Sequence, residues 1–254
     1  MTWRLVAASV KGSSHAANNT PCQDSNWASP NEGDLSCPVL CVFVADGAGS
    51  ACHGGKGAEL AMTAAARFMR DRVRQHGFVL DDTVLFDCMQ AARNAIIRAA
   101  DDASLSPRDY ACTFLGAVST STHTALVQIG DGGIVVNIGD GLVLPIVPMS
   151  GEYANMTYFV TDEDAAVRVQ IKVFPAAAQN VAVFTDGIQR LAINMTDHTP
   201  HSPFFAKFFR VLAQASSQDE NKLQDALLAF LSSGAVDERT DDDKTLALAS
   251  LVAQ

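Results

Sequence analysis

An α+β layered fold is predicted by three features of the sequence: a short all-apolar run at residues 38–45, two long amphipathic helical patterns soon after it, and a series of short strand-like stretches beyond Pro107. Regular alternation of strands with helices would have indicated a doubly wound parallel sheet, whereas blocks of strands separated by helix pairs indicate segregated layers. With 254 residues, 48% of them hydrophobic, the chain can bury a substantial core, and a single domain spanning 1–254 is expected.

The elements follow in chain order. Residues 3–10 alternate and are rich in Val and Ala, as a strand requires, and 38–45 reads as a strand buried on both faces. From about Gly55 to Arg74, the residues Ala58, Ala61, Met62, Ala65, Phe68, Met69 and Val73 fall on one face of a helix. A second helix over 82–100 repeats this with Leu85, Cys88, Met89, Ala92, Ile96 and Ala99. Strands are then expected at about 111–119, 123–130, 133–138, 142–147, 156–160, 168–174 and 180–185, divided by Ser-Thr, Gly-Gly and Asp-Gly turn signals into an antiparallel meander. Helical patterns near 203–215 and 220–232 precede a closing strand at 245–249.

Charge and cysteine usage narrow the function classes. A formal charge of −10 with only 18 dispersed Lys and Arg argues against nucleic-acid binding, which needs clustered cations to neutralise phosphates. No apolar run approaches the roughly 18 residues of a membrane span, and Met1-Thr2-Trp3-Arg4 opens into a strand pattern rather than a signal peptide. The six cysteines form no CxxC pair and several sit in apolar runs, which suits reduced thiols and a cytoplasmic location. Cys37, Cys41 and His53 lack the tight paired spacing of a zinc site. A monomer is expected.

The aspartates carry the chemistry. Four Asp-Gly pairs occur, at Asp46, Asp131, Asp140 and Asp186. Asp140-Gly141, between two strand-like stretches, reads as a hairpin turn. Asp46 and Asp186 differ, because each ends an apolar strand, where an unpaired charge is costly. Asp24 and the run Asp241-Asp242-Asp243 complete the set. If the ends of adjacent strands bring Asp24, Asp46, Asp186 and Asp242 together, a hard cation such as Mg²⁺ or Mn²⁺ is the natural compensation for four like charges. The glycine-rich stretch 47–57 is not a nucleotide loop. Gly49 and Gly55 have five residues between them instead of four, and Gly57 stands after Lys56 where a P-loop needs Ser or Thr.

These residues resemble a family, the metal-dependent protein phosphatases of type 2C, in the branch with a Cys-Gln-Asp first motif. Cys22-Gln23-Asp24-Ser25 resembles its first acidic motif, Val44-Ala45-Asp46-Gly47-Ala48-Gly49 its Asp-Gly metal motif, and Ala111-Cys112-Thr113 its Gly-Thr-Thr strand. Gln128-Ile129-Gly130-Asp131-Gly132 is similar to the Gly-Asp-Ser motif, Phe184-Thr185-Asp186-Gly187-Ile188 to Thr-Asp-Gly-Leu, and Asp242-Asp243-Lys244-Thr245 to the closing Asp-Asn-x-Thr. Each motif alone is weak; six in order across nearly the whole chain are specific.

The resemblance implies a central sandwich of two antiparallel β-sheets flanked by α-helices, with metals at one end. It implies hydrolysis of phosphoserine and phosphothreonine in proteins by a water bridging two divalent cations, Mn²⁺ or Mg²⁺. Asp46 would bridge the cations, the Gly47 carbonyl would bind one, Asp186 and Asp242 would complete the other, Asp24 would hold metal-bound water, and Asp131 would support a third, looser cation.

Three positions depart from the family pattern. Asn19 stands where many members carry a phosphate-gripping arginine, and His15 or Lys11 is the nearest substitute. Ala48 stands where many have a general-acid histidine, a role for which His53 is the candidate, although a solvated or helix-capping role competes. Gln23 replaces a common glutamate. These departures frame two alternatives, a pseudophosphatase acting as a regulatory binding module and a phosphatase of small phosphorylated metabolites.

Overall fold

Seven successive buried side chains, Val39 to Ala45, cannot lie on a strand with one wet face, so the strand they form is covered on both sides. The computed structural model describes residues 1–32, 38–149 and 157–253. Its elements in order are β1 (Thr2–Val10), the helical turn α1 (Ser13–Ala17), β2 (Asp24–Glu32), β3 (Val39–Asp46), α2 (Gly54–Val73), α3 (Asp82–Ala103), β4 (Phe114–Ser119), β5 (Thr124–Ile129), β6 (Gly133–Asn137) and β7 (Leu142–Val143). There follow α4 (Ala165–Arg168), β8 (Gln170–Phe174), β9 (Asn180–Phe184), α5 (Gln189–Ala192), the short ribbon β10 (Ile193–Asn194) and β11 (Thr199–Pro200), α6 (Ser202–Gln214), α7 (Glu220–Leu231), α8 (Gly234–Asp237) and β12 (Lys244–Val252).

Two five-stranded antiparallel sheets form, in the orders β1-β12-β9-β6-β7 and β2-β3-β4-β5-β8. Alternation along β3 sorts its side chains between two cores. Leu40, Val42 and Val44 face the other sheet and meet Ile134, Val136, Val181, Val183, Ala247 and Ala249. Cys41, Phe43 and Ala45 point the opposite way, onto Met62, Ala65 and Met69 of α2 and onto α3. A third core lies outside the first sheet, where Ala182, Phe184, Leu246 and Leu248 pack on Phe205 and Phe209 of α6 and Leu227 and Leu231 of α7. Three cores between four layers give the expected helix–sheet–sheet–helix sandwich. The α3 helix starts where the Asp81 side chain accepts the Val84 N–H at 3.0 Å and ends at Ser104 in the left-handed conformation, φ 57°.

Four expectations change. Strand β2 was not anticipated, because Asp24-Ser-Asn-Trp-Ala-Ser-Pro-Asn-Glu32 has little strand propensity and contains Pro30. It is an edge strand with a register shift between Ser29 and Glu32, a place where proline is tolerated. The meander is broken: β4 and β5 continue to β8, while β6, β7 and β9 belong to the other sheet. The strand expected at 142–147 shrinks to Leu142–Val143, and 157–160 forms no strand. The Asp140-Gly141 turn lies in the β6–β7 connection, where Asn137 Oδ1 accepts the Gly139 and Gly141 N–H groups. Cys37 lies outside the described residues, and so does 150–156 within the 145–161 segment that the sequence suggests as a flap.

Gly57 lets α2 press onto the backbone, since a Cβ there would stand 1.9 Å from the Tyr110 carbonyl oxygen. A helical Gly→Ala change ordinarily gains about 0.5–1 kcal/mol. Gly57→Ala is expected instead to cost about 1–3 kcal/mol, as overpacking does, and to lower Tm by at least about 3 °C. A thermal melt with Tm unchanged or raised would show that this contact is absent.

Candidate functional site

The ends of β2 and β3 meet in register with Asp24 directly opposite Asp46. Opposed like charges destabilise a strand pair, so this pairing is retained against a cost. Asp24 is only 9% exposed. Its Oδ2 accepts hydrogen bonds from Thr185 Oγ1 at 2.8 Å and Thr245 Oγ1 at 2.7 Å, both from the facing sheet's side of the sandwich. The network continues from Thr245 Oγ1 to Ser9 Oγ at 2.6 Å, and Asn26 Nδ2 donates to Ser9 Oγ at 2.9 Å. Among the described residues, Asp24 Oδ1 is buried with no partner.

Asp46 is fixed through its backbone, with its N–H donating to Thr113 Oγ1 at 2.9 Å and its carbonyl accepting the Thr113 N–H at 2.8 Å. The chain then doubles back at Gly47, where a Cβ would stand 2.3 Å from the Gly54 carbonyl carbon. Asp186 opens the helical turn after β9, and its Oδ1 is also buried without a partner among the described residues. Asp242 lies just ahead of β12 and accepts the Asp243 N–H on Oδ1 at 2.8 Å. Asp131 follows Gly130 (φ 118°); it accepts a hydrogen bond from Thr157 Oγ1 on Oδ2 at 2.5 Å, and its carbonyl accepts the Gln189 amide.

All five carboxylates are pushed toward the neutral form. Burial raises Asp24 to about 7, opposed by its two threonine hydroxyls and reinforced by Asp243 and Asp186. Burial, then the charges of Asp24 and Asp186, holds Asp46 well above the ordinary range. Burial, followed by Asp131 and Asp242, raises Asp186 to about 6, against a hydrogen bond from Asp46 that favours its ionised form. Asp131 and Asp242 are raised as well, chiefly by burial. A shared upward shift marks a site short of positive charge.

Hard-oxygen donors in this number fit divalent cations of the Mg²⁺ or Mn²⁺ kind, and two buried, unpartnered carboxylate oxygens are donors awaiting an electrophile. Among the described residues, no three acidic, His or Cys side chains already stand in a ligand arrangement. Asp24 is turned to its threonines, and the Asp46 carboxyl lies close enough to Asp24 and Asp186 for their charges to act on it. The fit lies in donor chemistry and in the placement of these carboxylates at one end of the sandwich.

Above these carboxylates is a cleft of about 530 Å³, lined among others by Asp131, Thr157, Asp186, Gln189, Arg190, Arg239 and Asp242. Asp24 and Asp46 are not part of its lining.

Residues 11–232 match the family described as protein phosphatase 2C. The chain belongs to that family. It is 49% identical to serine/threonine-protein phosphatase 3 of Escherichia coli (strain K12), with 98% of each chain covered. In fold it is similar to the catalytic domain of the serine/threonine protein phosphatase PstP in complex with two manganese ions, at 17% identity, TM-score 0.64 and 99% of each chain. A Staphylococcus aureus serine/threonine phosphatase gives 12% identity and TM-score 0.62, with 99% of this chain and 96% of that one covered.

In this phosphatase the five sequence-derived aspartates sit at one end of the sandwich, and the two candidate histidines stand apart from them in different ways. His15 Nδ1 lies 2.9 Å from Asp243 Oδ2. His53 is exposed at the N-terminus of α2 with its ring stacked on Tyr110, centroids 5.1 Å apart. Asn19 is exposed with φ 55°, a left-handed conformation that Asn tolerates better than most residues. Sequence reasoning named Asp243 within the acidic run but gave it no role; it is 2% exposed and accepts the N–H groups of Gly12 at 2.7 Å and Gln23 at 2.6 Å. A triple aspartate leading into an apolar strand was the available signal. That reasoning missed Arg190 and Arg239, which in sequence look like ordinary surface charges.

The raised carboxylates set a pH dependence for the metal-free phosphatase. A group with a raised folded-state pKa contributes stability fully below its unfolded value, and loses it as pH rises through the folded value. With Asp24 at about 7 and Asp186 at about 6, against 3.8 ordinarily, Tm in EDTA is expected to fall between about pH 4 and pH 7. The exposed Asp197 and Asp219, lowered by hydrogen bonds, contribute on the acid side of this window. A Tm that holds level or rises across it would contradict the assignment.

Proposed function

We propose that the chain hydrolyses phosphoserine and phosphothreonine in proteins with the help of two divalent cations, Mn²⁺ or Mg²⁺. The observation that carries this reading is the pairing of Asp24 with Asp46 across β2 and β3, with buried carboxylate oxygens left unpartnered on Asp24 and Asp186. Family membership and the named activity of the E. coli relative support it. When bound, the cations supply an activated water and neutralise charge on the phosphoryl oxygens.

The chain's own residues divide the work. Asp46 would be the ligand shared by the two cations; what supports this is a backbone held on both sides by Thr113 and a carboxyl on which the charges of both Asp24 and Asp186 act. The Gly47 carbonyl, Asp186 and Asp242 would complete the donor set. Asp24, held by two hydroxyls, is suited to receive a hydrogen bond from a water rather than to swing onto a cation. Asp131 would hold a third, looser cation, and would have to release Thr157 to do so. His15, with Nδ1 on Asp243, positions the segment between β1 and β2 that carries Gln23 and leads into Asp24. His53 is the proposed proton donor to the leaving alcohol and would have to leave Tyr110 to serve.

Phosphopeptide turnover is expected to need added Mn²⁺ or Mg²⁺ and to cease in excess EDTA. Asp46→Asn should lower turnover by more than the roughly 10–100-fold typical when a residue one step removed from a metal is changed. It also relieves repulsion, so the metal-free variant should melt no lower than the metal-free parent. Mn²⁺ at a hundred times Kd should stabilise the parent by about 2.7 kcal/mol, a gain largely lost in the variant. Four melts, parent and variant in EDTA or Mn²⁺, check this alongside turnover. A variant that keeps both the Mn²⁺-induced rise and parental turnover would reduce Asp46 to a turn residue.

A further inference from the structure

A phosphoryl group entering the cleft is itself an anion, and the cleft already holds Asp131, Asp186, Asp241 and Asp242 in a chain of net charge −10. Its non-bridging oxygens need donors that this chain must supply beside the carboxylates, and a guanidinium fork matches that geometry best. Two arginines line the cleft, Arg190 and Arg239. We infer that Arg239 and Arg190 together form the phosphoryl-binding subsite, a deduction that rests on the phosphatase reading above.

Three observations carry it. First, both guanidiniums are uncommitted: among the described residues neither makes an ion pair or donates a side-chain hydrogen bond. Other arginines are spent on structure, Arg70 on Glu32, Arg168 on Asp164, and Arg93 on the carbonyls of Val160 and Asp162. Second, each arginine shares a segment with a carboxylate of the site. Arg190 lies in α5, which follows directly on the helical turn begun by Asp186, and Arg239 lies between α8 and Asp242. Third, both segments are pinned where they carry the arginine. The neighbouring Gln189 amide donates to the Asp131 carbonyl. The Arg239 N–H donates to the Val236 carbonyl at 2.9 Å, Val236 is buried, and Asp237 is ion-paired with the buried Lys244. The guanidiniums are therefore exposed side chains on fixed backbone, held at the cleft by the segments that carry Asp186 and Asp242.

The two candidates offered by the sequence, His15 and Lys11, are less suited. His15 has its Nδ1 on Asp243, and neither His15 nor Lys11 lines the cleft.

The test uses the Mn²⁺-loaded protein as parent, Arg239→Ala, Arg190→Ala, the double variant, and Arg239→Lys. Kinetics are measured on a phosphothreonine peptide and on 4-nitrophenyl phosphate, with inorganic phosphate as competitive inhibitor. The double variant is expected to raise KM for both substrates and Ki for phosphate at least about tenfold, with kcat within about threefold. Arg239→Lys should fall between the parent and Arg239→Ala, because it keeps the charge and loses the fork. All variants should keep the parental Mn²⁺-induced rise in Tm, since neither arginine holds a cation. Phosphate Ki within twofold of the parent in the double variant would overturn the inference. So would a loss confined to the peptide, which would make the arginines readers of flanking residues. Failure of the phosphatase reading itself would appear in the parent, as turnover indifferent to Mn²⁺, and is thereby distinguished.

Discussion

The burial of the Asp24 carboxylate between the two sheets is the constraint on which the site depends. Its strand belongs to one sheet and its hydrogen-bond donors, Thr185 and Thr245, come from the other, the latter 221 residues away in sequence. Two neutral hydroxyls satisfy one oxygen of a carboxylate and leave the other without a partner among the described residues. In register opposite stands a second carboxylate, Asp46. Such a pair is tolerated in a buried place only with a shared proton or an added cation.

The sandwich topology makes this meeting possible. Pairing of β1 with β12 brings the two chain ends side by side, with Ser9 opposite Thr245 and Val10 opposite Lys244. The loop after β1 is thereby laid against the segment before β12, where Asp243 gathers the N–H groups of Gly12 and Gln23 and the ring of His15. Asp24 and Asp242 are thus positioned by one local cluster although they come from opposite ends of the chain. Close backbone contact helps, since Gly187 passes so near Asp243 that a Cβ would lie 2.0 Å from its carbonyl oxygen.

Much of this was legible in the sequence, for reasons that can be named. The strand β3 and helices α2 and α3 carry their apolar residues at periods that only a doubly covered strand and two one-faced helices satisfy. Asp46 and Asp186 stood out because charge at the end of an apolar strand demands an explanation. Strand β2 was hidden because its pairing comes from β3 and not from its own propensity. The sheet assignment of β6 was hidden too, because strand periodicity says nothing about which neighbour a strand selects. Arg190 and Arg239 were invisible because isolated arginines gain meaning only from the cleft they share.

Without a cation the aspartate cluster is expected to keep protons and, on binding metal, to exchange them for it. Titration calorimetry with Mn²⁺ near pH 6, in buffers of different ionisation enthalpy, measures that exchange directly. With Asp24 at about 7, Asp186 at about 6 and Asp46 raised well above the ordinary range, binding is expected to release about one proton or more per chain. Carboxylates at their ordinary pKa would already be ionised at that pH, and Mn²⁺ binding without proton release would contradict the account.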